Sequence, residues 1–254
     1  MFSLSSFDGF FWFLVTLAAL VFLQRGLHRE IQAVFLILTR HPTVTQAIFA
    51  LIFLPGVFLH ELSHWLVAHL LGVPTGRFSI IPHAQPDGRL RLGYVETAQA
   101  GLLRDALIGA APLVSGSLFV ALMGIETLDL LPLWEAASQA NWPQFWRLLG
   151  AVPKQPDFWL WFYLTFTVSS TMLPSASDRR AWLPLGLLIA ALLGLAALAG
   201  AGTWMLTYLA PPLNQFLRSL ALVFGLSAVL HLCLIFPFFV LHRLAAKLTG
   251  VDVA

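Results

Sequence analysis

The chain has 254 residues, of which 59% are hydrophobic and only 10% are charged, and its mean hydropathy is +0.83. Soluble domains carry about 25% charged residues, so this composition excludes an ordinary soluble protein and predicts a protein that crosses a membrane several times. The formal net charge of +2 comes from basic residues scattered over many loops. This excludes the clustered basic surface that nucleic-acid binding requires.

Six segments are candidates for membrane spans, each of which takes about 20 predominantly apolar residues. In chain order they are residues 7–23, 45–71, 106–125, 158–173, 182–206 and 216–241. The segment 25–40 mixes charges with apolar residues, which predicts a short amphipathic piece at the membrane interface. We therefore expect an all-α polytopic fold that forms a single domain over residues 1–254, with the lipid bilayer as its surroundings.

The second predicted span contains the sequence His60-Glu61-Leu62-Ser63-His64. On a helix this HExxH pattern places two imidazoles one turn apart on the same face, which is the spacing for two ligands of one zinc ion. Glu61 lies between them, where it can act as general base toward the attacking water. Two histidines and a carboxylate are costly in an apolar span unless a metal ion or a polar cavity compensates them. The alternative is a histidine pair that is only hydrogen-bonded within a bundle.

The region after this span has a different pattern. Residues 77–82 and 89–96 predict two β-strands, the second with alternation of period two, and residues 86–88 (Pro-Asp-Gly) predict the turn between them. A β-hairpin is therefore expected directly after the predicted zinc helix. Its exposed edge could pair with an extended substrate, for which we single out Phe78, Ser79 and Ile80. The alternative is an ordinary solvated loop.

A catalytic zinc ion typically has three protein ligands and one open position, so the two histidines need a partner from another helix. Asp178 is the first candidate, because Pro174 interrupts helical hydrogen bonding after the fourth predicted span and can turn the carboxylate inward. Glu126, at the end of the third span, and His231, within the sixth, are the alternatives.

Taken in order, these features resemble the site-2 protease class of intramembrane zinc metalloproteases. The matching stretches are His60–His64, residues 71–73 with the strand that follows, residues 111–115, and Pro174 with Asp178. The match runs from about residue 54 to residue 180. Thr171 stands where the family commonly has asparagine, and Asp178 lies four residues after the proline instead of five. The resemblance is therefore to a divergent member.

The resemblance implies a zinc metalloendopeptidase that hydrolyses a peptide bond within or near a transmembrane segment of a protein substrate. It implies Glu61 as the catalytic base and His60, His64 and Asp178 as ligands of one Zn²⁺. The catalytic core would cover about residues 45–180, with outer helices at 7–23, 182–206 and 216–241. We expect no PDZ or CBS domain in this length, and a multi-pass location in a prokaryotic cell membrane.

Other function classes stay open at this point. A catalytically inactive scaffold or a transporter-like helical bundle would keep the fold without hydrolysis. A membrane zinc protease with glutamate as its third ligand would need a motif such as Glu-x-x-x-Asp on a second helix, and the sequence contains none.

Overall fold

The computed structural model describes residues 8–84 and 90–251, which form a predominantly helical protein with two very small β-sheets. The α-helices are α1 (Asp8–Thr39), α2 (Pro42–Leu70), α3 (Leu102–Leu122), α4 (Leu131–Ser138), α5 (Trp142–Leu149), α6 (Phe158–Thr171), α7 (Trp182–Ala196), α8 (Gly202–Trp204) and α9 (Ala210–Thr249). The strands are β1 (Thr75–Ser79), β2 (His83–Ala84), β3 (Leu90–Arg91) and β4 (Tyr94–Thr97).

Within the described residues, four helical stretches are long and apolar enough to cross a membrane by length and composition. They are Asp8–Thr39, Pro42–Leu70, Leu102–Thr127 and Trp182–Thr249. The last stretch has 68 residues and contains both the fifth and the sixth predicted spans, with an interruption at Gly200, where φ is 96°. The fourth predicted span forms α6, which has only 14 residues. The count of six spans therefore stays a prediction.

The segment 25–40 differs from the sequence-based expectation, because α1 continues through it to Thr39. Glu30 is buried and its carboxylate lies 2.6 Å from Nδ1 of His242 on α9, while Leu27 and Ile31 are buried in an apolar cluster. The mixed composition thus reflects a helix that packs on both α2 and α9, with its buried carboxylate paired inside the protein.

The predicted hairpin is present, but with shorter strands than expected. β1 pairs antiparallel with β4, where Thr75 lies opposite Thr97 and Ser79 opposite Tyr94, and β2 pairs antiparallel with β3. The predicted first strand ended at Pro82, whereas β1 ends at Ser79 and Pro82 lies between β1 and β2. Proline cannot donate to a strand ladder, which accounts for the interruption. The predicted turn at residues 86–88 lies outside the described residues.

The apolar core joins α6 to helices on both of its sides. One buried cluster combines residues of α1, α2 and α6, among them Phe49, Phe53 and Phe166, and Leu92 from the strand region packs against it. A second cluster joins α1, α3, α9 and the end of α6, with Phe224 and Met172 almost fully buried. The end of α6 is therefore held from several directions, and the candidate site lies beside it.

Candidate metal centre

The HExxH residues lie on α2, where His60 is ten residues and His64 six residues before the helix ends at Leu70, about 15 Å and about 9 Å inside that end at 1.5 Å per residue. Glu61 and His64 are buried and His60 is half-buried. The two imidazoles face each other on one side of the helix, with their Nε2 atoms 3.2 Å apart. The four-residue spacing therefore has the geometric effect that the sequence predicted.

Asp178 lies against the two histidines although it is more than one hundred residues away in the chain. Its carboxylate oxygens lie 3.7 Å from Nε2 of His60 and 3.5 Å from Nε2 of His64. Among the described residues, this trio is the group of three metal-binding side chains whose ligand atoms lie within 4.8 Å of one another. The first candidate for the third ligand is thus the one placed beside the histidines.

The three separations can be compared with the geometry of zinc. Nitrogen and oxygen ligands bind zinc at about 2.0–2.2 Å in a tetrahedral arrangement, which places any two ligand atoms about 3.3–3.6 Å apart. The separations of 3.2, 3.5 and 3.7 Å lie within about 0.1 Å of that range. Two imidazoles and one carboxylate also match the ligand set of catalytic zinc sites that keep an open position. The residues present therefore fit a single zinc ion.

Each histidine is oriented by a backbone carbonyl. Nδ1 of His60 lies 2.6 Å from the carbonyl oxygen of Thr171, and Nδ1 of His64 lies 2.8 Å from that of Ile108. A carbonyl oxygen can only accept, so Nδ1 carries the proton in both rings and donates. Nε2 of each ring then presents its lone pair toward the other ligands, which is the tautomer that metal binding needs.

The end of α6 explains why these groups are available. Pro174 cannot continue the helix, so α6 ends at Thr171 and the N–H of Ser175 does not bond to the carbonyl of Thr171, which accepts from His60 instead. The N–H of Ser175 donates to Oδ2 of Asp178 at 2.7 Å. One helix break therefore supplies both the acceptor that orients His60 and the donor that holds Asp178.

The ionisation of Asp178 also favours metal binding. Burial alone would disfavour the charged form, but the hydrogen bonds that His60 and His64 donate from Nε2 when their rings are protonated, and the one from the Ser175 N–H, outweigh it. Together they hold the pKa of this carboxyl well below its ordinary value. Asp178 is therefore a carboxylate at neutral pH, the form that coordinates cations.

Two glycines allow close approaches to the site. A Cβ atom at Gly109 would lie 1.9 Å from the backbone oxygen of Asp178, so only glycine lets α3 pack against this segment. A Cβ atom at Gly93 would lie 2.9 Å from Cγ of Glu61, so the strand region covers the carboxylate directly. Sequence reasoning missed both glycines, as well as the carbonyls of Ile108 and Thr171, because these roles depend on contacts distant in sequence.

The site opens into a cavity of about 1570 Å³. The cavity follows one face of α2, on which Thr45, Phe49, Phe53, Val57 and Glu61 recur every four residues. Helices α1, α3 and α9 and the segment after α6 contribute the other walls.

Strand β4 lines this cavity through Val95 and Thr97, and Arg91 of β3 lines it as well. Phe78, Ser79 and Ile80, singled out from the sequence as substrate-binding, do not belong to its lining. Phe78 and Ser79 lie on β1, the strand paired with β4, and Ile80 follows the end of β1. The pairing was predictable from the sequence, but not which strand lies nearer the carboxylate.

The alternative ligands lie elsewhere. Glu126 is exposed in the turn after α3, about 27 Å along that helix axis from Ile108 at 1.5 Å per residue. His231 is fully buried, and its two ring nitrogens bond to Ser170 and Ser227 instead.

Comparison of the chain with known protein-family models, curated proteins and solved structures finds no match. The chemistry of the site itself is therefore the basis for a functional assignment.

Proposed function

We propose that this protein is an intramembrane zinc metalloprotease, similar to the site-2 protease class, that hydrolyses a peptide bond within or near a transmembrane segment of a membrane protein. In this proposal the chain is a multi-pass protein with about six spans. The observation that carries the proposal is the juxtaposition of a zinc-like ligand trio, His60, His64 and Asp178, with the buried carboxylate of Glu61 in one large cavity.

The residues divide the chemistry among them. His60, His64 and Asp178 would hold the ion, which when bound would supply Lewis-acid activation of water and of the scissile carbonyl. Glu61 accepts a proton from the attacking water and returns it to the leaving amine. The carbonyls of Thr171 and Ile108 keep the two histidines in the required tautomer.

The cavity supports a peptide as substrate. Its volume exceeds the range of about 300–1,000 Å³ that is usual for small-molecule sites. It follows α2 from Thr45 to His64, about 28 Å at 1.5 Å per residue, which an extended peptide of about eight residues would span. A helical substrate shields its peptide bonds, so the substrate would have to unwind to be cleaved.

The edge of β4 could hold such an unwound segment. The N–H of Ala98 donates to the carbonyl of Pro74 at 3.0 Å, so the main-chain groups of Ala98 point toward the neighbouring chain. Neighbouring residues of a strand point these groups in opposite directions, so those of Thr97 point away from β1. Thr97 also lines the cavity. A substrate strand added here would satisfy its freed backbone groups, each of which costs several kcal/mol unpaired in an apolar medium.

We expect Thr97→Pro to lower cleavage about tenfold while zinc content stays unchanged. Proline removes an N–H that points out of the ladder at a residue that lines the cavity. The net value of one hydrogen bond is about 0.5–1.5 kcal/mol, and about 1.4 kcal/mol corresponds to a tenfold change in rate. Thr75→Pro is the matched control. Thr75 lies opposite Thr97, so its N–H also points out of the ladder, but it does not line the cavity. Equal rates for the two variants would show that the edge of β4 holds no substrate.

Removal of the metal tests the proposal as a whole. Purified protein should contain about one zinc ion per chain, as three ligands and an open position predict. A chelator should abolish cleavage of membrane protein substrates, and added zinc should restore it. Substrates can be found by comparing membrane-protein fragments between cells with the wild-type protein and cells with Glu61→Gln. Purified protein without zinc, or fragments that are identical in both cells, would contradict the proposal.

The competing function is a catalytically inactive scaffold or a transporter-like bundle. It would not need an oriented pair of histidines beside a buried glutamate, and the polar groups in the cavity would serve a passing solute or a partner. Zinc content separates these functions, because a plain bundle has no reason to retain the ion.

A further inference from the structure

Gln24, Ser170 and His231 form a hydrogen-bonded group between α1, α6 and α9 that the proposed chemistry does not use. The hydroxyl of Ser170 lies 2.8 Å from Nε2 of His231, and the carbonyl of Ser170 accepts from Nε2 of Gln24 at 2.5 Å. Nδ1 of His231 donates to the carbonyl of Ser227 at 2.7 Å, so Nε2 is the acceptor and the Ser170 hydroxyl donates to it. Two different helices thus hold Ser170.

The helix break at Pro174, which leaves the carbonyl of Thr171 free for His60, also leaves the carbonyl of Ser170 without a donor from α6. In a continuous helix the carbonyl of Ser170 would accept from the N–H of residue 174, but Pro174 has none. A buried carbonyl without a partner is costly in an apolar environment, and Gln24 supplies the missing donor. Gln24 lies near the middle of α1, where an amide is itself costly without a partner.

Ser170 is joined directly to the residue that orients a predicted metal ligand. Thr171 follows it, and the carbonyl of Thr171 lies 2.6 Å from Nδ1 of His60. We infer that Gln24 and His231 are positioning residues for His60: they hold the last turn of α6 where the Thr171 carbonyl can orient the imidazole. This inference rests on the proposed metal site. It gives α1 and α9, which lie outside the stretch that resembles the protease family, a role in metal binding.

Replacement of Gln24 by methionine tests this role, because methionine keeps the length of the side chain and removes the donor. We expect zinc affinity, measured by competition with a chelator, to fall about tenfold, the lower end of the effect of losing an outer partner of a metal ligand. The absorption spectrum of the cobalt-substituted protein should also change, since it reports ligand geometry directly. A role in stability alone would leave that spectrum unchanged.

Gln215→Met is the matched control. It makes the same chemical change at an exposed residue of α9. The neighbouring residue, Asn214, bonds to Gly9, so Gln215 lies near the start of α1. Gln24 is about 22 Å further along α1 at 1.5 Å per residue. The control should keep the zinc affinity and the cobalt spectrum of the wild type.

A second variant keeps the test decisive if Gln24→Met fails to fold. Ser170→Ala removes only the hydroxyl that bonds to His231 and should lower zinc affinity in the same direction. If folded variants of both kinds match the wild type in zinc affinity and cobalt spectrum, the inference is overturned while the proposed metal site stands. If the wild-type protein itself binds no zinc, the proposed function fails and the inference fails with it.

Discussion

Glu61→Gln should abolish peptide-bond hydrolysis while zinc remains bound. Glutamine keeps the shape of the side chain, so the cover that the strand region forms over it at Gly93 should persist. Its amide cannot accept a proton from the attacking water, and general-base assistance contributes about 10²–10⁴-fold to rate. We therefore expect a loss of at least about 100-fold in cleavage of a membrane protein substrate. Zinc content should remain at the wild-type level, because Glu61 is not among the three predicted ligands.

Glu96→Gln is the control for this experiment. Glu96 is an exposed carboxylate on β4 that lies 3.2 Å from the N–H of Arg77, and it does not line the cavity. The same change there should leave cleavage close to the wild-type rate. A zinc-loaded Glu61→Gln protein that cleaves as fast as this control would remove Glu61 from its proposed role.

The parts of the site that the sequence predicted are those governed by local rules. The HExxH spacing places two imidazoles on one helix face in any α-helix, whatever surrounds it. Pro174 ends a helix because it lacks an N–H, so a turn that brings Asp178 inward was predictable from the five residues 174–178. The alternation after residue 88 similarly predicted strands. Each of these inferences needed only neighbours in the chain.

The parts that the sequence did not predict depend on contacts between distant segments. Nothing near Gly109 indicates that the Asp178 backbone packs against it, and nothing near Ile108 marks its carbonyl as the partner of His64. The partner of the buried Glu30 in segment 25–40 could not be read from the neighbouring sequence, because that partner, His242, lies 212 residues away. A sequence pattern shows that a residue is polar, but it does not show which distant group forms its hydrogen bond or ion pair.

In the hairpin, the pairing of the strands was predictable from local sequence, but the strand nearer the site was not. The sequence predicted paired strands after the zinc helix, but it singled out Phe78, Ser79 and Ile80, whereas Val95 and Thr97 line the cavity. The alternation of the second predicted strand marks it as a strand, but it does not tell which of the two strands lies nearer the site. The distinction comes from Gly93, whose missing side chain lets the chain before β4 approach Glu61.

Asp178→Ala should cause the largest loss of metal binding among single changes outside the HExxH motif. The carboxylate is the one anionic member of the trio, so its loss removes both a ligand and the charge that balances the cation. Changes in outer partners of a metal ligand already cost about 10–100-fold in affinity, so we expect a loss above about 100-fold. Metal analysis of the purified protein, with chelator competition, measures this directly.

Glu126→Ala is the control for Asp178→Ala. Glu126 was an alternative third ligand from the sequence, and it is exposed in the turn after α3, away from the histidines. Its removal should leave zinc content unchanged. Normal zinc binding by Asp178→Ala together with loss in Glu126→Ala would reverse the assignment. The separations of 3.5 and 3.7 Å between Asp178 and the two imidazoles favour the opposite result, because they already lie close to those of a tetrahedral zinc site.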